Sequence, residues 1–205
     1  MSERLQKVVM ASGNAGKIRE IARLLGGLGV EVVAQSELGV SDADETGTTF
    51  AANSLIKAQH AADATGLPAI ADDSGLSVDA LDGAPGVYSA RYAGGAPQGH
   101  VAGDEANNDK LLAALDGIED RGAAFHCVAT FIDPRAPEPL VAAGEWRGEI
   151  LHARQGDGGF GYDPLFFVPD CNCSSAELSP EQKNARSHRG QALHKLVELI
   201  KQKYA

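Results

Sequence analysis

An α/β fold built on a mixed sheet is what this 205-residue sequence predicts, and three observations carry that prediction. Apolar runs of strand length alternate with segments of helical periodicity through the first part of the chain. Two apolar runs then follow one another across a proline-rich link, which suits neighbouring antiparallel strands. With 43% hydrophobic and 22% charged residues, the chain can bury one large core or two joined lobes and does not have the composition of a disordered protein.

The elements follow in order. Residues 6–11 read as a strand, and after Asn14 the spacing of Ile18, Ile21, Ala22 and Leu25 predicts a helix, so the chain opens strand, loop, helix. A second strand is expected over 30–34. From Thr49, Phe50, Leu55, Ala58 and Ala62 lie near one helical face while Asn53, Lys57 and Gln59 mark the polar side. Gly66-Leu67-Pro68 ends that helix and leads into a strand that stops at Asp72. After a glycine and proline loop over 82–86, Leu111, Leu112 and Leu115 predict a helix over 104–115, although its many Asn and Asp residues are poor helix formers. Residues 125–132 and 139–146 are the strand pair, joined by 133–137. Ser179-Pro180-Glu181-Gln182 places an N-cap serine, a first-turn proline and a capping-box glutamine at the start of a short helix. Leu193, Leu196, Val197 and Ile200 sit at i, i+3, i+4 and i+7 of a last helix, with Lys201 and Lys203 at the negative end of its dipole. There is no internal repeat and no low-complexity linker.

The formal net charge of −10 opposes attachment to nucleic acid or to an anionic membrane, so no nucleic-acid or membrane partner is expected, and a polyphosphate ligand must be met by local basic groups and a metal. No apolar stretch has the roughly 20 residues that span a bilayer, and Met-Ser-Glu-Arg-Leu-Gln-Lys at the start lacks the apolar core of a secretory signal; the expectation is a cytoplasmic protein. Three cysteines, with Cys171 and Cys173 one residue apart, form neither a disulfide framework nor a structural zinc spacing and are read as reduced thiols.

Five groups of residues carry candidate chemistry. Ser12-Gly13-Asn14-Ala15-Gly16-Lys17 follows a strand and opens a helix: the glycines admit close backbone approach, the helix start offers N–H groups, and Lys17 adds a positive charge, all suited to phosphate. It is not a P-loop, because Ala11 and Ile18 stand where a glycine and a magnesium-binding hydroxyl belong, and a glycine turn capping a helix is also an ordinary structural feature. Ala71-Asp72-Asp73-Ser74-Gly75 places two acids side by side, where a hard divalent ion such as Mg²⁺ would relieve their repulsion; in isolation the pair equally fits an acidic turn. Glu45 before Thr46-Gly47 is a third carboxylate candidate, and Lys57, four residues beyond Asn53, can share a ligand with it; a solvated loop and an exposed lysine are the plainer alternatives. Gly156 to Asp163, Gly-Asp-Gly-Gly-Phe-Gly-Tyr-Asp, can lay a ring on a flat base while Asp163 and backbone groups read its edge, or it is a tight turn whose aromatics fill a core. Lys183 and Ser187-His188-Arg189-Gly190 supply donors for a keto oxygen or a phosphate near the junction of two helices.

These segments, together with Glu45-Thr46-Gly47 and Gly83-Ala84-Pro85-Gly86-Val87-Tyr88-Ser89-Ala90-Arg91, resemble the inosine triphosphate pyrophosphatase family, in particular its bacterial dITP/XTP pyrophosphatase branch, almost from end to end. The resemblance implies one pyrophosphatase domain over residues 1–205, an elongated α/β fold of two lobes around a long mixed sheet, a nucleotide in the cleft between the lobes, and a homodimer. It implies that Ser12, Gly13, Asn14, Ala15, Gly16 and Lys17 hold phosphate and that Glu45, Asp72 and Asp73 serve Mg²⁺, with Mn²⁺ as an alternative. Asp73 is then also the base, Lys57 faces the triphosphate, and Ser74 contacts the nucleotide. Phe160, Gly161, Tyr162, Asp163, Lys183, His188 and Arg189 form the base pocket. Ser12 replaces the commoner threonine and keeps its hydroxyl; Cys171-Asn172-Cys173 is outside the pattern.

The activity so implied is hydrolysis of dITP, ITP and XTP to the nucleoside monophosphate and pyrophosphate, a water oriented by an acid attacking the α-phosphorus. Donors aimed at a 6-keto oxygen would accept hypoxanthine and xanthine and reject adenine. A pyrophosphatase of the Maf type would lack the Phe160 to Asp163 loop and the Ser187-His188-Arg189 ending, and a nucleotide-binding regulator without turnover would not need the acids.

Overall fold

The computed structural model describes residues 5–13, 15–94 and 101–204, so Asn14 of the predicted phosphate loop lies outside the described residues. Its chain order is β1 (Lys7–Met10), α1 (Ala15–Leu25), β2 (Glu31–Ala34), α2 (Phe50–Thr65), β3 (Ala69–Val78), α3 (Val101–Ala114), β4 (Gly122–Ile132), β5 (Leu140–Ile150), β6 (Phe166–Val168), β7 (Cys173–Ser174), α4 (Pro180–Arg186) and α5 (His188–Tyr204), with short 3-10 turns between them. Among the described residues the sheet has seven strands in the order β2-β1-β3-β4-β5-β6-β7. It is mixed: β1 is parallel to β2 and to β3, whereas β5, β6 and β7 pair antiparallel. Parallel neighbours require crossovers, and α1 and α2 supply them.

Contacts divide the chain into two compact units. One holds the chain up to Asp73, Cys127–Gly144 and everything from Arg189 onward; the other holds Ser74–His126 and Glu145–His188. In the first unit the two-residue period of a strand sorts side chains onto two faces. Val8, Met10 and Ile70 bury against Ile21 and Leu25 of α1 and Leu193, Leu196 and Ile200 of α5. Val9, Ala11, Ala69 and Ala71 turn the other way, onto Ala58, Ala61 and Ala62 of α2. The second unit packs Leu76 and Val78 of β3 with Leu111 and Leu115 of α3 and an aromatic group in which Phe125 and Phe166 stand 4.5 Å apart and Trp146 and Phe166 5.2 Å.

Two expectations change here. The strand predicted to stop at Asp72 continues to Val78, so both acids lie in mid-strand. Strands rarely carry carboxylates in their middle, but these two are neutralised by lysines, as shown below. Residues 125–132 fall inside the longer β4, and 139–146 begin one residue ahead of the longer β5; the two strands are neighbours in the sheet as the proline-rich link suggests. β6 and β7 were not predicted; strands of two or three residues carry no periodicity to read. α4 begins as expected: Ser179 Oγ accepts from the Gln182 N–H at 3.2 Å and Gln182 Oε1 accepts from the Ser179 N–H at 3.0 Å.

Candidate active site

Strand alternation decides the fate of the paired acids. Asp72 has the parity of Ile70 and faces α1 and α5, where Lys17 Nζ lies 2.8 Å and Arg189 Nε 3.3 Å from its Oδ2. Asp73 has the parity of Ala71 and faces α2, where Lys57 Nζ lies 2.9 Å from Oδ1 and Asn53 Nδ2 3.3 Å from Oδ2. The sequence argument set one cation between neighbouring carboxylates; the pleat instead gives each its own lysine.

Electrostatics differ on the two sides. Asp72 is buried, which alone would raise its pKa, but the charges of Lys17 and Arg189, the Lys17 hydrogen bond and the more distant Lys57 hold it well below the usual carboxylate range. Burial dominates at Asp73 and pushes its pKa up, with the Glu45 charge adding to the rise, although Lys57 and Asn53 oppose it. Lys57 also binds Glu45 Oε1 at 2.9 Å, so one ammonium joins two carboxylates and its own pKa is raised by them against the effect of burial.

Asn53 ties this group together. It is fully buried, its Oδ1 accepts from the Gly47 N–H at 2.8 Å, and its Nδ2 donates to Asp73. The turn that carries Glu45 is thereby pinned to the strand that carries Asp73. Gly47 is required by space, since a Cβ there would stand 2.6 Å from Asn53 Oδ1. The four-residue spacing of Asn53 and Lys57 predicted a shared target; that target is Asp73.

The remaining predicted residues divide between the units. Ser12, Gly13, Ala15, Gly16 and Lys17 lead into and open α1, and Lys17 bonds Asp72. Arg189, expected in the base pocket, is bound to Asp72 in the first unit. In the second unit, Ser74 follows Asp73 along β3. Phe160 is 56% exposed, and Lys183 Nζ stands 5.0 Å from its ring centroid. Lys183 also ion-pairs with Asp163.

Asp163 departs from the expectation that it reads a base edge. It is buried, with its Oδ2 bonded by Lys183 and, at 2.8 Å, the Phe160 N–H, and its Oδ1 bonded by Ser175 Oγ at 2.8 Å. Its carboxylate is consumed in holding the loop and aiming Lys183. Tyr162 is likewise no stacking surface: it is a core residue whose hydroxyl donates to the Ser89 carbonyl at 2.8 Å, the partner that makes its burial affordable. The ring of His188 stacks on Phe125 at 4.9 Å. Gly161 has the left-handed φ of +62° that a glycine adopts without strain.

Three groups escaped the sequence reading. Asp104 and Asn108 of α3 bond Gly161, and Ser175 bonds Asp163. The density of Asp and Asn in α3 was the available signal; Ser175 offered none.

Comparison with known proteins places the chain among relatives. The chain matches the Ham1 family over residues 8–199. A dITP/XTP pyrophosphatase of Pectobacterium atrosepticum is 54% identical over 200 residues, covering 96% of this chain and 99% of that protein. A dITP/XTP pyrophosphatase of Vibrio parahaemolyticus is 56% identical over 195 residues, covering 94% and 95%. The structure of a HAM1 protein from Coxiella burnetii superposes with a TM-score of 0.89 at 45% identity, covering 97% of this chain and all of that one. The fold is thus the mixed-sheet α/β fold of a recognised kind of protein. The chain belongs to the Ham1 family.

Proposed function

We propose that this protein hydrolyses dITP, ITP and XTP to the nucleoside monophosphate and pyrophosphate, clearing these nonstandard purines from the nucleotide pool. The observation that carries the reading is the mid-strand pair in which Asp73, poised by burial, is held by Lys57 and Asn53 while Asp72 presents Lys17 and Arg189. High identity over nearly full length to proteins named dITP/XTP pyrophosphatase supports it.

The residues fit a hard divalent cation, Mg²⁺ or Mn²⁺. Glu45 and Asp73 each bring a carboxylate oxygen to 2.9 Å from one positive centre, the Lys57 ammonium. No group of three or more such side chains converges among the described residues, which suits Mg²⁺, a cation usually held by one or two carboxylates together with substrate phosphates. Glu45 and Asp73 would hold it, while Asp72, on the other face of β3, pairs with Lys17 and Arg189; bound there the ion would neutralise triphosphate charge and polarise the phosphoryl group.

The chain's own groups supply the rest. Asp73, its pKa raised, takes the proton of the attacking water at a carboxylate oxygen that Asn53 and Lys57 orient. Lys57 and Lys17 stabilise charge growing toward the departing pyrophosphate, and the helix start at α1 presents N–H groups to phosphate. Phe160 offers a ring for a purine to stack on, and Lys183, which has only donors, suits a 6-keto oxygen and opposes the 6-amino group of adenine. A cytoplasmic homodimer belongs to the same reading; light scattering should give twice the mass of one chain. Asp73→Asn should still bind ITP but lose about 10²-fold or more in kcat. Retained turnover would remove Asp73 from the mechanism.

A further inference from the structure

The loop that offers Phe160 does not fix its own position. Gly159 and Gly161 both have left-handed φ values, +77° and +62°, so the backbone on either side of Phe160 is of the most permissive kind. Its internal restraint is the Phe160 N–H on Asp163. Tyr162 and Asp163 are held from outside by Ser89, Ser175 and Lys183, whereas Gly161 is held by a single turn of α3: Asp104 Oδ2 accepts from the Gly161 N–H at 2.8 Å, and Asn108 Nδ2 donates to the Gly161 carbonyl at 2.9 Å. Asp104 and Asn108 are four residues apart and share one helix face. Gly161 is held by both of its backbone polar groups.

α3 is itself anchored from several directions. Asn107 accepts from the Ala93 N–H at 2.7 Å and donates to the Ala90 carbonyl at 3.2 Å, and Arg154 donates to Asp109 at 2.7 Å. Asn108 is buried, and its Oδ1 has no hydrogen-bond partner among the described residues. An apolar side chain of similar size would avoid that orphaned acceptor but would leave the Gly161 carbonyl without its donor. That donor is the reason the structure offers for an amide here.

We propose that Asp104 and Asn108 are positioning residues for base discrimination: by clamping Gly161 they fix where Phe160 and Lys183 meet an incoming purine. This rests on the reading of Phe160 and Lys183 as the base-binding groups. The clamp touches no phosphate-directed residue, so its loss affects recognition of the base and leaves the chemical step intact.

The test compares ITP and ATP as substrates of the wild type and of Asp104→Ala, Asn108→Leu and Asp104→Asn, with thermal unfolding of each. Asp104→Ala and Asn108→Leu should each raise KM for ITP about tenfold with kcat within about twofold, and lower the ITP-to-ATP ratio of kcat/KM about tenfold. Asp104→Asn keeps an acceptor oxygen for the Gly161 N–H and should stay within about twofold of wild type. Asn108→Leu removes the donor to the Gly161 carbonyl and is assayed at a temperature where its unfolding curve shows it folded, while Asp104→Asn keeps its bond and should unfold with wild type, which separates a role in recognition from a role in folding. If wild type prefers ITP and folded Asn108→Leu keeps the full preference, the clamp has no part in discrimination and the proposal is overturned. If wild type itself makes no distinction between ITP and ATP, the base-binding reading fails, and this inference with it.

Discussion

At the scale of single residues, the account turns on how one buried amide and two lysines manage adjacent acids. Asn53 bonds both Gly47 and Asp73, so Asn53→Ala leaves a half-buried N–H and a carboxylate oxygen short of a partner, a loss of about 1–3 kcal/mol. Denaturant unfolding should show that loss, and kcat for ITP should fall further than the change in KM, because the Glu45 turn is no longer registered against Asp73. Unchanged stability and kcat would mean that the amide is incidental. The acids themselves were legible in the sequence; their environment was not. Lys17 is 55 residues from Asp72, and Arg189 is 117 residues from it, so only the packing of α1 and α5 against one face of β3 brings them together. Asp163 and Tyr162 were visible as a motif, yet whether an aromatic stacks on a ligand or fills a core depends on partners such as Ser89 and Ser175 that no spacing announces.

Elements with local signals could be read directly. α2 declared itself by an apolar stripe with Asn53 and Lys57 on its polar side, and α4 by its capping box. Ser179→Ala removes the acceptor for the Gln182 N–H and should cost about 1 kcal/mol, measurable as an earlier unfolding midpoint; no change would show that α4 frays independently of its cap. β3 was read short because carboxylates usually end strands, and the compensating charges lie on other elements. β6 and β7 were missed because their pairing, Phe167 opposite Ser174, is specified by the partner strand and not by local alternation.

For the whole molecule, acid stability follows from carboxylates held below their ordinary pKa. Burial would raise Asp133, but bonds from Arg135 and from the Tyr204 hydroxyl at 2.8 Å lower it to about 2. A depressed folded-state pKa stabilises above the unfolded value, about 3.9, and that contribution disappears as pH falls toward 2. Asp133→Asn should therefore lose stability at pH 7 and show a shallower decline between about pH 4 and pH 2 than wild type; equal slopes would remove Asp133 from the acid transition. Among the described residues no helix is long and apolar enough to cross a membrane. With a net charge of −10, a polyanionic substrate must be met by local cations, and the proposed ones are Lys17, Lys57 and Arg189 of the first unit and Lys183 of the second. The central claim is that these cations and Asp73 serve cleavage between the α and β phosphates of a keto-purine nucleotide. Incubating the protein with Mg²⁺ and either ITP or ATP, and assaying pyrophosphate separately from orthophosphate, tests it most directly. Pyrophosphate released from ITP well ahead of ATP is the predicted result; orthophosphate as the product, or a preference for ATP, would contradict it.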